Sequence, residues 1–161
     1  MKNLIIIRHA KSSWNNLCQD SGRPLEQRGI DDAHLVANNC IKYLPSNFII
    51  HSSSAKRARE TALIFASTVL YPAESIVFRD DLYTFDENKL EDIIKSIGND
   101  FENVILFGHN GAITNFVNKF GDISIDNVPT SGLVWLQFET DSWEKIGKGN
   151  TKKTIFPRNL K

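Results

Sequence analysis

The stretch LIIIRHAKSSWN, residues 4–15, contains the signal that decides the fold. Its first four residues form an apolar run without a polar position, which is typical of a strand buried on both faces of a sheet. Arg8 and His9 follow this run directly. A buried strand normally excludes such polar side chains, so the pair marks the point where the strand ends.

Apolar runs of this kind alternate along the chain with helical patterns. The predicted strands are 3–8, 47–51, 75–79, 103–107, 133–139 and 153–157. Apolar residues at helical spacing predict four helices, over 30–44, 58–69, 90–97 and 113–120. Gly98 and Gly121 directly follow the last two predicted helices, as expected at helix ends. The alternation predicts an α/β three-layer sandwich: a mainly parallel central sheet, helices on both faces, and an antiparallel hairpin at one edge.

Composition limits the class of protein. The 161 residues fit one domain, 1–161, and the formal net charge of +0 gives no nucleic-acid signature. No stretch approaches the ~20 apolar residues of a membrane span, and the N-terminus runs directly into a strand. Cys18 and Cys40 form no disulfide or metal pattern. We expect a cytoplasmic monomer without a membrane or nucleic-acid partner.

Two further strand ends resemble the first. NVILFGHNG, residues 103–111, is again an apolar run that ends in a histidine, His109. FIIHSSSAKRARET, residues 48–61, ends in serines followed by basic residues. The carboxyl ends of parallel strands share one edge of the sheet, where ligands bind. Arg8, His9, His109 and the start of the helix after the serines are therefore predicted to come together.

The start of that helix breaks a local rule. One of the serines 52–54 is a natural N-cap, and Lys56, Arg57 and Arg59 then lie in the first turn. Cations there oppose the helix dipole, which a bound anion would offset. We expect Arg57 to bind the anion, and Lys56 and Arg59 to extend into water.

These residue types suit phosphoryl transfer. The planar fork of an arginine matches phosphate oxygens, and a neutral imidazole is a good nucleophile toward phosphorus. Nearby arginines lower a histidine pKa and keep the ring neutral, and a second histidine can donate to a phosphoryl oxygen. This chemistry requires no metal and no cofactor. A zinc site built from His9, His51 and His109 lacks local ligand pairs, and Cys18 and Arg23 are one residue too close for a Cys-x5-Arg phosphatase motif.

The motifs RHAKSSWN, SSAKRARET and GHNG, in this order, resemble those of the histidine phosphatase (phosphoglycerate mutase-like) superfamily. The short length, DSGRPLEQRG (20–29) and IFPRNL (155–160) are similar to its small SixA-type phosphohistidine phosphatases. The resemblance implies that His9 is the phosphorylated nucleophile. It implies that the rest of the phosphate pocket consists of Arg8, Arg57 and His109, with Asn15 as a further phosphate contact.

Several positions are left open by the resemblance. Arg23 either reaches the site or only anchors its turn. Ala10 replaces a glycine of many relatives, and Gly111 replaces a more usual proline. The general acid of the family is not identified; the candidates are Asp81, Asp86 and Glu87.

The function expected from this resemblance is metal-independent hydrolysis of phosphohistidine on a protein, through a covalent enzyme intermediate. Residues 58–108 leave little room for a lid, so we expect a minimal version of the fold without a lid insertion. An open pocket suits a phosphotransfer domain in signal transduction, and the six basic residues of 145–161 could steer an acidic partner. The alternatives are a small-molecule phosphomonoesterase of the same superfamily and a non-catalytic phosphate-binding adaptor.

Overall fold

The first strand, β1 (Lys2–Arg8), lies inside a six-stranded sheet in the computed structural model, which describes residues 1–14 and 18–161. The remaining strands are β2 (Ile49–Ser53), β3 (Val77–Arg79), β4 (Asn103–Gly108), β5 (Leu133–Phe138) and β6 (Asn150–Ile155). Their order across the sheet is β3-β2-β4-β1-β5-β6. The first four of these run parallel, and β5 and β6 are each antiparallel to the preceding strand. The predicted parallel sheet with an antiparallel hairpin at one edge is confirmed.

Helices cover both faces of the sheet. They are α1 (Gln27–Cys40), α2 (Lys56–Thr68), α3 (Glu87–Lys95) and α4 (Ala112–Phe120). Side chains alternate along a strand, so Ile5 and Ile7 of β1 pack with α1 and α2, whereas Leu4 and Ile6 pack with α3 and α4. The two apolar clusters give the predicted three-layer sandwich.

The predicted N-cap of α2 is wrong. The N-cap residue is Ala55, which has no side chain that could cap the helix. The physical reason is that β2 continues through Ser52 and Ser53, which are buried in the sheet. Ser53 still serves the helix start, because its hydroxyl accepts a hydrogen bond from the Ala55 amide at 3.2 Å.

The segment between α2 and β4 is short. It contains β3, α3 and brief 3₁₀ turns, without a large insertion in this described part of the chain. The predicted minimal form of the fold is confirmed. Within residues 1–14 and 18–161, no helix combines the length and the apolar character needed to cross a membrane.

Candidate active site

The register of two neighbouring strands places the two histidines side by side. Arg8 of β1 pairs with Gly108 of β4, so His9 and His109 are the next residues on adjacent parallel strands. The His9 amide donates to the Gly108 carbonyl at 3.1 Å. The centroids of the two imidazole rings lie 5.2 Å apart. Both rings are buried, at the edge of the sheet where we expected them to meet.

Hydrogen bonds assign the tautomer of His9. Its Nδ1 lies 2.7 Å from the carbonyl oxygen of Ala10, which can only accept. The proton of the neutral ring is therefore on Nδ1, and Nε2 keeps its lone pair. That lone pair accepts from Nε of Arg57 at 3.4 Å. His9 Nε2 is consequently the basic nitrogen of the ring.

Arg57 points inward from the first turn of α2. Its side chain is 2% exposed, whereas Lys56 and Arg59 are exposed, as predicted. Its fork differs from the expectation of a free phosphate ligand, because both terminal nitrogens contact Asp20. Nη1 donates to the Asp20 carbonyl at 2.7 Å, and Nη2 donates to Oδ2 at 3.0 Å. The Nε of Arg57 is the guanidinium nitrogen that contacts His9 Nε2.

Arg8 and Arg23 bring two more guanidinium groups to the site. Arg8 donates from Nη1 to the Val128 carbonyl at 3.0 Å. Arg23 is buried under the ring of Trp14, 3.4 Å from its centroid, and its Nε lies 3.3 Å from Oδ1 of Asp20. Arg8 Nε and Arg23 Nη1 are buried and have no hydrogen-bond partner among the described residues. Arg23 thus reaches the site rather than only anchoring its turn.

Ser53 assigns the tautomer of His109. The Ser53 hydroxyl lies 2.8 Å from Nε2 of His109 and accepts from the Ala55 amide. Of these two partners of the hydroxyl, only Nε2 can accept its proton, because the Ala55 amide is a donor. This pairing leaves the imidazole proton on Nδ1. That Nδ1 is buried without a partner in the part of the chain that the structure describes. His109 is therefore set up as a donor.

Both imidazoles are neutral at physiological pH. Burial lowers the pKa of His9 to about 3, and the charges of Arg57, Arg8 and Arg23 act in the same direction. Burial also lowers the pKa of His109 to about 3, with His9 and Arg57 as further causes. The site therefore contains two neutral imidazole rings in contact with each other.

Arg8, His9, Arg23 and Arg57 line a cavity of about 300 Å³ at the edge of the sheet. Its lining consists of Arg8, His9, Lys11, Ser12, Trp14, Asp20, Arg23, Arg57, Phe85, Asn110 and Thr130. His109, whose ring lies against that of His9, is not among these lining residues. Three arginines and one lysine against one carboxylate make it a strongly cationic cavity. No three His, Cys, Asp or Glu side chains of the described residues are grouped so as to hold a metal ion.

The three candidate acids lie elsewhere. Asp81 pairs with Arg79, Asp86 caps α3, and Glu87 accepts from Asn115. The carboxylate in the cavity lining is instead Asp20, which the sequence did not single out. Asp20 accepts a short hydrogen bond from the Tyr83 hydroxyl. That bond, followed by the one from Arg57, holds the pKa of Asp20 below its usual value, so Asp20 is an anion rather than an acid at neutral pH.

Two residues that support the site were also not predicted from the sequence. Ser131 adopts a positive φ of 62°, and its amide donates to the carbonyls of Arg8 and His9, which fixes the end of β1. Gly29 of α1 lies so close to the Lys11 backbone that a Cβ there would stand 2.9 Å from the Lys11 nitrogen. DSGRPLEQRG contains both Asp20 and Gly29, and this motif was the available signal. Asn15 lies outside the described residues.

Comparison with known proteins gives a consistent result. The profile of the histidine phosphatase superfamily (branch 1) matches residues 4–97. An uncharacterised chloroplastic protein of Arabidopsis thaliana is 30% identical over 155 residues, covering 89% of this chain and 70% of that protein.

Solved structures share the fold. The protein histidine phosphatase SixA, solved with tungstate, matches with a TM-score of 0.83 at 21% identity, over 99% of both chains. A mycobacterial glucosyl-3-phosphoglycerate phosphatase, solved with VO3, matches with a TM-score of 0.72 at 13% identity, over 95% of this chain and 98% of that one. With its profile match over more than half of its length and its paired histidines, the chain belongs to branch 1 of the histidine phosphatase superfamily.

Proposed function

We propose that the protein is a phosphatase that hydrolyses phosphohistidine on another protein, with His9 Nε2 as the nucleophile. The observation that carries the proposal is the pairing of a lone pair on His9 Nε2 with buried donors of Arg8, Arg23 and His109 that have no partner in the described chain. A phosphoryl group presents one electrophilic phosphorus and several anionic oxygens, so it matches both halves of this arrangement.

In the proposed first step, the Nε2 lone pair attacks phosphorus while the P–N bond of the substrate breaks. The departing imidazole is protonated on its other nitrogen and leaves as a neutral ring, so the step needs no acid from the enzyme. The Ala10 carbonyl holds the Nδ1 proton of His9 throughout and stabilises the cationic phosphorylated ring. The absence of Asp81, Asp86 and Glu87 from the described cavity lining fits this chemistry.

In the second step, water attacks the phosphorylated His9. The oxygen–phosphorus bond forms as the P–N bond breaks, one proton passes to solvent, and Nε2 regains its lone pair. Asp20 is the acidic residue among the described cavity residues and is positioned by Arg57 and Tyr83. We assign to it the orientation of Arg57 in both steps.

The openness of the site favours a protein substrate. In the described chain, the segment between Arg57 and His109 forms elements of the core fold without a large insertion, and its contribution to the cavity lining is Phe85. A small sugar phosphate would therefore find few contacts beyond its phosphate, whereas a phosphohistidine on a helical phosphotransfer domain could reach the cavity from outside. The fold match to SixA, a protein histidine phosphatase, has a higher TM-score than the match to the mycobacterial glucosyl-3-phosphoglycerate phosphatase, which supports this choice.

The basic residues near the C-terminus give weaker support for steering of an acidic partner than the sequence suggests. Lys152 and Lys153 lie over the rings of Trp135 and Tyr43, at 4.2 and 3.9 Å, and Lys161 pairs with Asp32 at 2.9 Å. These contacts spread the charges along the edge strand β6 and α1. We therefore base the proposal on the cavity and not on electrostatic steering.

The test of the nucleophile uses His9→Ala beside His34→Ala, which removes an exposed histidine of α1. With a phosphorylated phosphotransfer domain as substrate, we expect His9→Ala to lose at least ~1,000-fold in kcat and His34→Ala to match the wild type. Rapid quench with labelled substrate should trap an acid-labile phosphoenzyme in the wild type and in His34→Ala. A His9→Ala variant with a few per cent of wild-type activity would contradict the mechanism.

The same preparation tests the substrate class. The phosphotransfer domain should exceed sugar and glycerate phosphates in kcat/KM. A small phosphate ester that saturates the enzyme at micromolar concentration, with kcat/KM of ~10⁵ M⁻¹s⁻¹ or more, would replace the protein substrate by a small molecule. Binding of phosphate without turnover of any substrate would indicate an adaptor.

A further inference from the structure

Two exposed aromatic side chains line the cavity. Trp14 is 72% exposed and Phe85 is 53% exposed, and both belong to the lining that contains Arg8, His9 and Arg57. Neither ring is needed in the apolar core. The face of an aromatic ring is electron-rich and does not attract a phosphate. These rings are therefore suited to a part of the ligand other than its phosphate.

Each ring lies against one of the groups assigned to the phosphate. Trp14 stacks on the guanidinium of Arg23, 3.4 Å from centroid to carbon. Phe85 packs against the imidazole of His109, with centroids 5.6 Å apart, and against Tyr83 at 5.7 Å. The apolar surfaces thus begin where the phosphate donors end, which is the position of the substituent bonded to phosphorus.

From this placement we infer that Trp14 and Phe85 select substrates whose phosphorus carries a flat, unsaturated ring, such as an imidazole. A ring bonded directly to phosphorus starts within one bond length of the phosphate and can pack against these aromatic surfaces. A saturated ring of the same size is puckered and stacks less well. The inference deepens the proposed function and rests on it for its biological meaning, but its binding component is independent of turnover.

Phenylphosphonate and cyclohexylphosphonate separate the two kinds of ring. Each compound has a six-membered carbon ring with one carbon bonded directly to phosphorus, and both carry the same anionic group. Neither is hydrolysed at the phosphorus–carbon bond. Their dissociation constants, measured by calorimetry on the intact wild-type protein, should favour the phenyl compound by about 3- to 10-fold, the range expected for one aromatic contact.

Variants locate the source of this preference. Phe85→Leu and Trp14→Leu should each lower the phenyl-to-cyclohexyl affinity ratio toward one, whereas Trp14→Phe keeps a flat ring and should retain most of it. Loss of the cover over Arg23 affects both phosphonates alike, so the ratio isolates the aromatic contribution. Phe101→Leu is the matched control, because Phe101 is exposed but lies at the opposite edge of the sheet.

The outcomes are distinguishable from failure of the proposed function. Equal affinities in the wild type, or a ratio unchanged in both leucine variants, would overturn the inference, and so would failure of the phenyl compound to bind. A normal ratio with no phosphohistidine hydrolysis would support ring selection while contradicting the phosphatase proposal.

Discussion

The strand ends form two opposite edges of the sheet, and a basic side chain is buried at each. The hydrogen bonding of that side chain differs between the two edges. At the edge opposite the cavity, Lys2 is 1% exposed, and its ammonium donates to the carbonyls of Asn99 and Phe101. At the active-site edge, the half-buried Arg8 and the buried Arg23 each have a buried donor atom that lacks a partner in the described chain. A buried charge whose hydrogen bonds are made stabilises the fold, whereas one with unmade bonds is set up for a ligand.

Cavity size alone would not identify the active-site edge. The cavity at the opposite edge, lined by residues 46–49 and 99–103, is about 590 Å³ against about 300 Å³ for the catalytic cavity. Its lining contains neither an arginine nor a histidine in that described set. Convergent unpaired donors, and not volume, therefore identify the functional edge of this molecule.

Exchange of one cation at each edge should give the largest difference between the two edges. Arg57→Lys keeps the charge but cannot contact His9 and Asp20 together, so kcat/KM should fall by about 30- to 150-fold. Arg59→Lys is its matched control, since Arg59 is exposed on the same helix turn, and should be within about twofold of the wild type.

Lys2→Met at the opposite edge should instead lower the free energy of unfolding by ~1–3 kcal/mol, because carbonyls lose their donor, and leave kcat/KM within about twofold. Steady-state kinetics and urea unfolding on the same four proteins provide the measurement. Equal activity losses in Arg57→Lys and Lys2→Met would remove the distinction between the two edges.

The pH dependence of stability provides a second test of the active-site edge. The pKa of His9 is about 3 in the folded protein and about 6.5 when unfolded, so the unfolded state binds more protons between these values. The contribution of His9 to the stability of the folded protein is therefore fully present above about pH 6.5 and is lost as the pH falls toward 3.

His9→Asn should flatten this dependence by up to ~1.4 kcal/mol per pH unit, measured by urea unfolding at pH 7, 6 and 5. The exposed His34 serves as control, and His34→Asn should keep the wild-type slope. A slope that His9→Asn leaves unchanged would mean that the ring takes up a proton inside the folded protein.

The smallest expected effect concerns the carboxylate at the active-site edge. Asp20→Asn removes a negative charge from a cavity lined by arginines, so the affinity for tungstate should rise about 3- to 10-fold. The fork of Arg57 loses its ion pair, and kcat should fall by roughly tenfold through poorer alignment.

Calorimetry and single-turnover kinetics give the two numbers for Asp20→Asn. Asp81→Asn is the control, because Asp81 pairs with Arg79 and does not line the catalytic cavity. Weaker tungstate binding together with an unchanged kcat would assign Asp20 to the phosphate contact itself.

The elements and the meeting of Arg8, His9, Arg57 and His109 could be predicted from sequence. Apolar runs and stripes report burial directly, and parallel strands bring their ends to one edge. The Asp20–Arg57 contact could not be predicted, since a short 3₁₀ turn at Asp20–Gly22 places that carboxylate across the cavity. The prediction of the α2 N-cap was wrong for a related reason. Ser52 pairs with β4 and therefore lies within the sheet, and local propensity does not include this pairing.

The Arg8–Gly108 pair has a consequence for how the chain can change. Because His9 and His109 follow paired residues of adjacent strands, their separation derives from the spacing of peptide backbones, about 4.8 Å, and not from the packing of any side chain. Replacement of one core residue by another of similar volume leaves this separation intact. A single-residue deletion within β1 or β4 would turn one imidazole to the opposite face of the sheet. The site therefore tolerates substitutions of core residues in these strands, but not a change in strand length.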